Sequence, residues 1–237
     1  MTLDEIRSKL STLSLPEGLA WVSHEFGDSA KLSSALGIED QVITHFIARQ
    51  NLSIEIFTLD TGRLFQESYD LLDLTRSKYK IAIKSYFPDY KQVEQLLAEK
   101  GPNSFYSSVE NRKECCSIRK IEPLKRALEG CSIWITGIRA EQSANRGQME
   151  LVEWDDQQKV IKYNPLLNWS EQDVLKCVEE NKIPVNTLHK KGFPSIGCAP
   201  CTRAVAVGED PRAGRWYWEA SSKECGLHKT KEEVKFK

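Results

Sequence analysis

The chain has 237 residues, 40% of them hydrophobic, with 33 Lys and Arg against 34 Asp and Glu for a formal net charge of −1. That length buries a substantial core in one large domain or two small ones, while the near-neutral balance gives no overall field to gather nucleic acid or a membrane surface. No apolar run approaches a membrane span, and residues 1–7 lack the basic start and apolar block of a secretory signal.

In chain order, residues 1–13 read as a short amphipathic helix, with Leu3, Ile6, Leu10 and Leu13 on one face and Pro16 as its stop. A helix follows over 39–49, then a β-rich run over 54–59 that ends in Asp60-Thr61-Gly62. Residues 64–79 read as helix, 81–83 as extended chain, 89–100 as helix closed by Gly101-Pro102, 114–129 as helix closed by Gly130, and 132–136 as strand. Two extended pieces around Asp155-Asp156-Gln157-Gln158 predict a hairpin over 151–163. Ser170 with Asp173 three residues on is a capping signature for a helix over 170–180. Beyond Pro184 the periodicity fades into a loop-rich C-terminal portion. Alternating strands and helices predict an α/β fold: a mainly parallel sheet flanked by helices. Ligands bind such sheets beyond the carboxyl ends of the strands, where Asp60-Thr61-Gly62 and Gly137-Ile138-Arg139 fall.

Seven cysteines, an odd number, in a chain without a visible export signal predict a reducing, cytoplasmic setting without structural disulfides. Cys115-Cys116 and Cys198-Ala199-Pro200-Cys201 form two tight pairs, and Cys225 stands apart on a polar tail. Adjacent cysteines at a helix start diverge by about 100°, which lets both reach one bulky cluster. Four thiolates suit zinc or an iron–sulfur cluster equally by count. Taken singly, Cys198-x-x-Cys201 also reads as a redox dithiol and Cys115-Cys116 as two core cysteines. Cys131 and Cys177 read as small buried hydrophobes. Arg119 and Lys120 each lie four residues after a cysteine of the first pair and share its helical face. Arg203 follows Cys201, and Arg212 and Arg215 come soon after. Guanidinium groups in such number suit the oxygens of a doubly charged phosphate or sulfate.

Seven segments, in this order, together resemble the sulfonucleotide reductase family, most closely its cluster-containing branch of assimilatory adenylyl-sulfate reductases. They are Ser34-Ala35-Leu36-Gly37-Ile38-Glu39-Asp40, Leu59-Asp60-Thr61-Gly62-Arg63, Cys115-Cys116-Ser117-Ile118-Arg119-Lys120, Gly137-Ile138-Arg139-Ala140-Glu141-Gln142-Ser143, Ser195-Ile196-Gly197-Cys198-Ala199-Pro200-Cys201, Arg212-Ala213-Gly214-Arg215-Trp216 and Glu224-Cys225-Gly226-Leu227-His228. The resemblance implies an adenine nucleotide α-hydrolase-like, Rossmann-like fold. It implies one 4Fe–4S cluster on Cys115, Cys116, Cys198 and Cys201, with Cys225 as the nucleophile. Ser33, Ser34, Gly37, Leu59, Thr61 and Gly62 would hold the nucleotide, with Arg139 and Trp216 also on the substrate. Lys120, Arg212, Arg215 and His228 would surround the phosphosulfate. The implied organisation is one domain over 1–237, with a helical segment over 1–30 and a mobile tail over 218–237 that carries Cys225.

The reaction implied is reduction of adenylyl sulfate to sulfite and AMP, with thioredoxin or glutaredoxin as reductant and an S-sulfocysteine on Cys225. Neither nucleic acid nor membrane is an expected partner, and a homo-oligomer is compatible. The family often has Ser-Phe where this chain has Ala35-Leu36, and with no thioredoxin-like domain read in these residues an external reductant is expected. Three rival readings remain: the 3′-phosphorylated substrate, alone or with dual specificity, an ATP-pyrophosphatase, and a zinc-stabilised binding module. The second needs a Ser-Gly-Gly-x-Asp-Ser loop, and Ser33-Ser34-Ala35-Leu36-Gly37 lacks its paired glycines.

Overall fold

The computed structural model describes residues 1–143 and 146–219. Cys225 and His228 lie outside the described residues. The chain divides into two compact units. The first comprises Met1–Thr58, Glu67–Lys84 and Leu128–Asn186; the second comprises Leu59–Gln66, Ser85–Ala127 and the described residues from Thr187 on.

The chain opens with α1 (Leu3–Leu10), whose start is fixed reciprocally by Thr2 and Glu5, and which buries Ile6 and Leu10. It is shorter than expected because Ser11 and Thr12 turn their hydroxyls back on carbonyls of the last turn and end it. Pro16 does not stop this helix. It sits in the first turn of α2 (Leu15–Phe26), where its missing N–H has no helical partner to lose and its fixed φ suits the turn. The expected helical segment over 1–30 is thus two helices.

A six-stranded sheet follows: β1 (Ala30–Ser33), β2 (Glu55–Leu59), β3 (Lys84–Tyr86), β4 (Ile133–Ile135), β5 (Val152–Asp155) and β6 (Val160–Tyr163), in the order β3-β2-β1-β4-β6-β5. β1 runs parallel to β2 and β4, and β4 runs parallel to β6. The β5–β6 pair is antiparallel, the predicted hairpin. Asp155 caps its turn by accepting from the N–H groups of Gln157 and Gln158, and Lys159 turns the chain at φ 54°. The extended stretch expected at 81–83 is displaced to Lys84–Tyr86, because Ile83 is the buried anchor that precedes the strand rather than part of it. Ala30, Leu32, Ile133 and Ile135 are wholly buried, as strands covered on both faces require.

Helix α3 (Ile38–Arg49) joins β1 to β2, α4 (Gln66–Tyr79) precedes β3, and α5 (Tyr90–Lys100) follows it with Asp89 as cap. α8 (Glu171–Asn181) carries the expected Ser170–Asp173 box. β1 is a topological switch point: the chain leaves it for β2 on one side, while β4 lies on the other.

One row across the sheet is polar where apolar residues are the rule. Glu55, Lys31, Trp134, Lys162 and Glu153 lie side by side on five successive strands. Lys31 pairs with Glu55 at 3.7 Å and Lys162 with Glu153 at 3.2 Å. Lys162 Nζ also sits 5.7 Å from the Trp134 ring centre. Each buried lysine is thereby neutralised, which is the condition for keeping its charge in the interior.

The helix expected over 114–129 is three pieces: α6 (Val109–Cys116), a π-helical turn Ser117–Ile121, and α7 (Glu122–Ala127). Pro123 explains the break, since it cannot donate to the carbonyl of Arg119 and its ring crowds that turn. Ser108 caps the start of α6 through the N–H of Asn111, so Cys115 and Cys116 end a helix rather than begin one. Among the described residues after α8, regular structure is limited to short 3-10 turns at Thr187–Lys191 and Ala199–Cys201. No described helix is long and apolar enough to cross a membrane.

Candidate active site

In the first unit, Ser33 ends β1 and the loop Ser34-Ala35-Leu36-Gly37 leads into α3. Ser34 N–H donates to Phe57 O at 2.7 Å, and Leu36 takes the left-handed φ of 59°. Asp40 holds the loop from inside. Its Oδ2 accepts from Ala35 N–H at 2.7 Å and Gly37 N–H at 3.2 Å. Asp40 is buried, and burial, followed by the like charge of Glu39, raises its carboxyl to about 7 against the pull of those N–H groups and of Arg146. Gly137, just past β4, approaches α3 so closely that a Cβ there would collide with Asp40 Oδ1. Arg139 is buried and pairs with Glu39 at 2.9 Å and Glu141 at 3.1 Å.

A carboxyl held at about 7 in the fold and near 3.8 when unfolded binds its proton more tightly in the native state. Its contribution to stability is therefore full below pH 4 and is lost as the pH rises through 7. Asp40→Asn, uncharged throughout, is expected to gain on the native chain by an amount on the order of a few kcal/mol between pH 4 and 8. Urea unfolding of both proteins at several pH values measures this; parallel pH profiles would refute it.

In the second unit lie Leu59, Thr61 and Gly62, expected among the nucleotide contacts. Asp60 Oδ1 accepts from Gly62 N–H at 2.8 Å, which supports the φ of 69° at that glycine. Thr61 Oγ1 lies 3.2 Å from Cys198 Sγ, and Thr61 O accepts from Arg119 Nη1 at 2.7 Å. This loop is thus tied to the cysteines. Ala199 N–H donates to Arg63 O at 2.8 Å and Thr202 Oγ1 to Cys198 O at 2.9 Å, fixing the Cys198–Cys201 turn.

Cys115, Cys116, Cys198 and Cys201 line one cavity, with an empty volume of about 340 Å³ that includes open solvent. Arg63, Arg112, Arg119 and Lys120 line the same space, so its cations match its thiols in number. The thiols respond differently. Burial alone would raise Cys198, but Lys120, the Thr61 hydroxyl, Arg215 and Arg119 together hold it below the ordinary thiol range. Cys201 is pushed up to about 12, first by burial and then by Cys198. Cys115 is raised by burial, with Arg119 opposing.

Trp216 also lines the cavity. It is 1% exposed, and two guanidiniums lie over its ring, Arg112 at 4.8 Å and Arg215 at 4.9 Å from the ring centre. Arg215 Nη1 donates to Ser195 Oγ and Ile196 O, both at 3.2 Å. Gly197 is what leaves room for it: a Cβ there would stand 2.6 Å from Arg215 Cζ. Gly197→Ala is expected to cost about 1–3 kcal/mol through overpacking, measured by urea unfolding; an unchanged midpoint would mean that the guanidinium moves aside freely. Arg212 lies in the turn before Arg215, whose N–H donates to Arg212 O at 2.9 Å, and is not among the cavity's lining residues.

The structure thus brings the four expected cysteines together with Lys120 and Trp216. It adds Arg63, Arg112 and Phe105, which the sequence reading did not single out. Arg112 lies four residues before Cys116 on α6, a spacing that pointed to it once the helix was known to start at Val109. Cys177 is buried in α8 as expected; Cys131 is only half-buried and precedes β4.

Residues 29–204 match the family described as the phosphoadenosine phosphosulfate reductase domain. The chain belongs to that family. A protein of Allochromatium vinosum named adenosine 5′-phosphosulfate reductase is 47% identical over 228 residues, covering 93% of this chain and 89% of that one. A Neisseria meningitidis serogroup B protein of the same name is 52% identical over 202 residues, covering 84% of this chain and 82% of its own. Among solved structures, the phosphoadenylyl-sulfate reductase of Candida auris in a phosphate complex superimposes with a TM-score of 0.73 at 27% identity, over 86% of this chain and 96% of that one. Yeast FAD synthetase, at 14% identity and a TM-score of 0.54 over 86% of this chain and 69% of that one, shares the fold alone. The family's fold is the expected adenine nucleotide α-hydrolase-like sheet.

Proposed function

We propose that this chain is an adenylyl-sulfate reductase of assimilatory sulfate reduction, acting in the cytoplasm with thioredoxin or glutaredoxin as electron donor. The observation that carries this is 47–52% identity, over most of the chain, to proteins named adenosine 5′-phosphosulfate reductase. The phosphorylated substrate is the second reading, and the relative named for it is more distant, at 27% identity.

The cysteine cavity supports one 4Fe–4S cluster on Cys115, Cys116, Cys198 and Cys201. Four thiols line this one cavity, the ligand number of a cubane cluster. Arg119 Nε and Trp216 Nε1, on lining residues, are buried donors with no hydrogen-bond partner among the described residues, and sulfide or thiolate sulfur would accept from them. When bound, the cluster supplies a fixed charge distribution beside the substrate.

The chain's own residues perform the steps. Cys225 as thiolate attacks the sulfur of adenylyl sulfate; an S–S bond forms, the S–O bond to AMP breaks, and AMP leaves. Lys120, Arg212, Arg215 and His228 offset the charge of the crowded oxygens and keep the thiol ionised. A thiolate of the reductant then attacks Cys225 Sγ and expels sulfite. The second thiol of the pair closes the reductant's disulfide and frees Cys225. Ser33, Ser34, Gly37 and Arg139 serve the adenylyl part.

The test mixes the purified protein with sulfur-labelled adenylyl sulfate and no reductant. We expect label on Cys225 in the mass spectrum, and its release as sulfite on adding thioredoxin. An active preparation without label on Cys225 overturns the mechanism.

A further inference from the structure

The reaction steps above do not use the polar row across the sheet. Trp134 stands at its centre, 1% exposed, between Lys31 on β1 and Lys162 on β6. Paired residues of neighbouring strands share a face, so the indole lies on the face that also carries Ser33, two residues beyond Lys31. Trp134 Nε1 donates to Ser33 Oγ at 2.8 Å. Indole nitrogen can only donate, whereas a hydroxyl both donates and accepts. The indole therefore fixes the sense of this contact: Ser33 accepts here, and its own O–H is left to donate elsewhere.

Ser33 is half-buried at the carboxyl end of the switch-point strand, at the head of the Ser34–Gly37 loop. With one lone pair held by the indole, the hydroxyl is oriented and its O–H is available to an incoming acceptor atom. The lysines, each held by its glutamate, keep the indole in register, and the Lys162 charge over its ring makes the N–H a stronger donor.

We propose that Trp134 is a positioning residue for substrate: it aligns the Ser33 hydroxyl to donate a hydrogen bond to an acceptor atom of the bound adenine nucleotide. This rests on the reading of the Ser33–Gly37 loop as a nucleotide site.

The test is a double-mutant cycle on AMP affinity, by calorimetry with the full chain: native, Trp134→Phe, Ser33→Ala and the double variant. Losing one neutral hydrogen bond predicts roughly a 2- to 13-fold weaker Kd in each single variant. The double variant is expected to match Ser33→Ala, because the indole acts only through that hydroxyl. Multiplying losses, or no loss in either single variant, overturns the proposal. If phenylalanine unsettles the buried site, 3-benzothienylalanine at 134 keeps the ring shape without the N–H, and the same comparison decides. Native protein that binds no AMP removes the nucleotide-site reading itself, whereas AMP binding indifferent to Trp134 removes only this inference.

Discussion

Cys225→Ser is expected to reduce sulfite release to background while AMP binding persists. A serine hydroxyl is hardly ionised at neutral pH and attacks sulfur poorly. The chemistry also fails at the second step. A thiol can release sulfite only by attacking a sulfur that carries it, and an oxygen ester offers no such centre. The variant should thus accumulate neither labelled protein nor sulfite, even with excess reductant. Sulfite production that survives the substitution would remove Cys225 from the reaction and take the proposed reductase mechanism with it.

The largest stability effect is expected at Arg112. Its Nε and Nη2 meet Glu219 Oε1 and Oε2 at 3.0 and 2.9 Å, with the two side chains only 3% and 4% exposed. Taking one partner away leaves the other charge buried, at a cost of about 3–5 kcal/mol. Arg112→Met should show this in urea unfolding, as should Glu219→Gln with a smaller loss, because the amide still accepts one hydrogen bond. Arg112→Met also removes a cation from the ring of Trp216 and from Cys116, whose sulfur accepts a hydrogen bond from it. Replacing both partners with apolar residues of similar volume is expected to recover part of the loss. A single variant as stable as the native chain would show that the pair is solvated in solution.

Much of this architecture is legible in the residues because local rules carry it. The Ser170–Asp173 box, the Asp155 turn and the alternation that makes the β5–β6 hairpin are short-range signals, and the structure has all three. The two cysteine pairs could be matched because each is compact in sequence, although nothing local says that they face one cavity. Local rules misled where one residue supports two outcomes. Pro16 reads equally as the end of one helix and the start of the next, and the start prevails because the Glu17 carboxylate accepts from Ser14 N–H and Oγ–H there. β1 escaped notice because four residues are too few to show a period. The Glu55–Lys31–Trp134–Lys162–Glu153 row was invisible for a different reason: its members come from five strands, and only strand order brings them together.

The π-helical turn after Cys116 carries a lesson for anyone moving these thiols to another scaffold. In an α-helix, residues five apart point about 140° away from each other, so Lys120 would face away from Cys115. All four line the same cavity, and the π-helical turn, with more residues per turn, narrows the arc between Cys115 and Lys120. A graft onto a regular helix would keep Arg119 beside Cys115 and Lys120 beside Cys116, but would swing Lys120 away from Cys115.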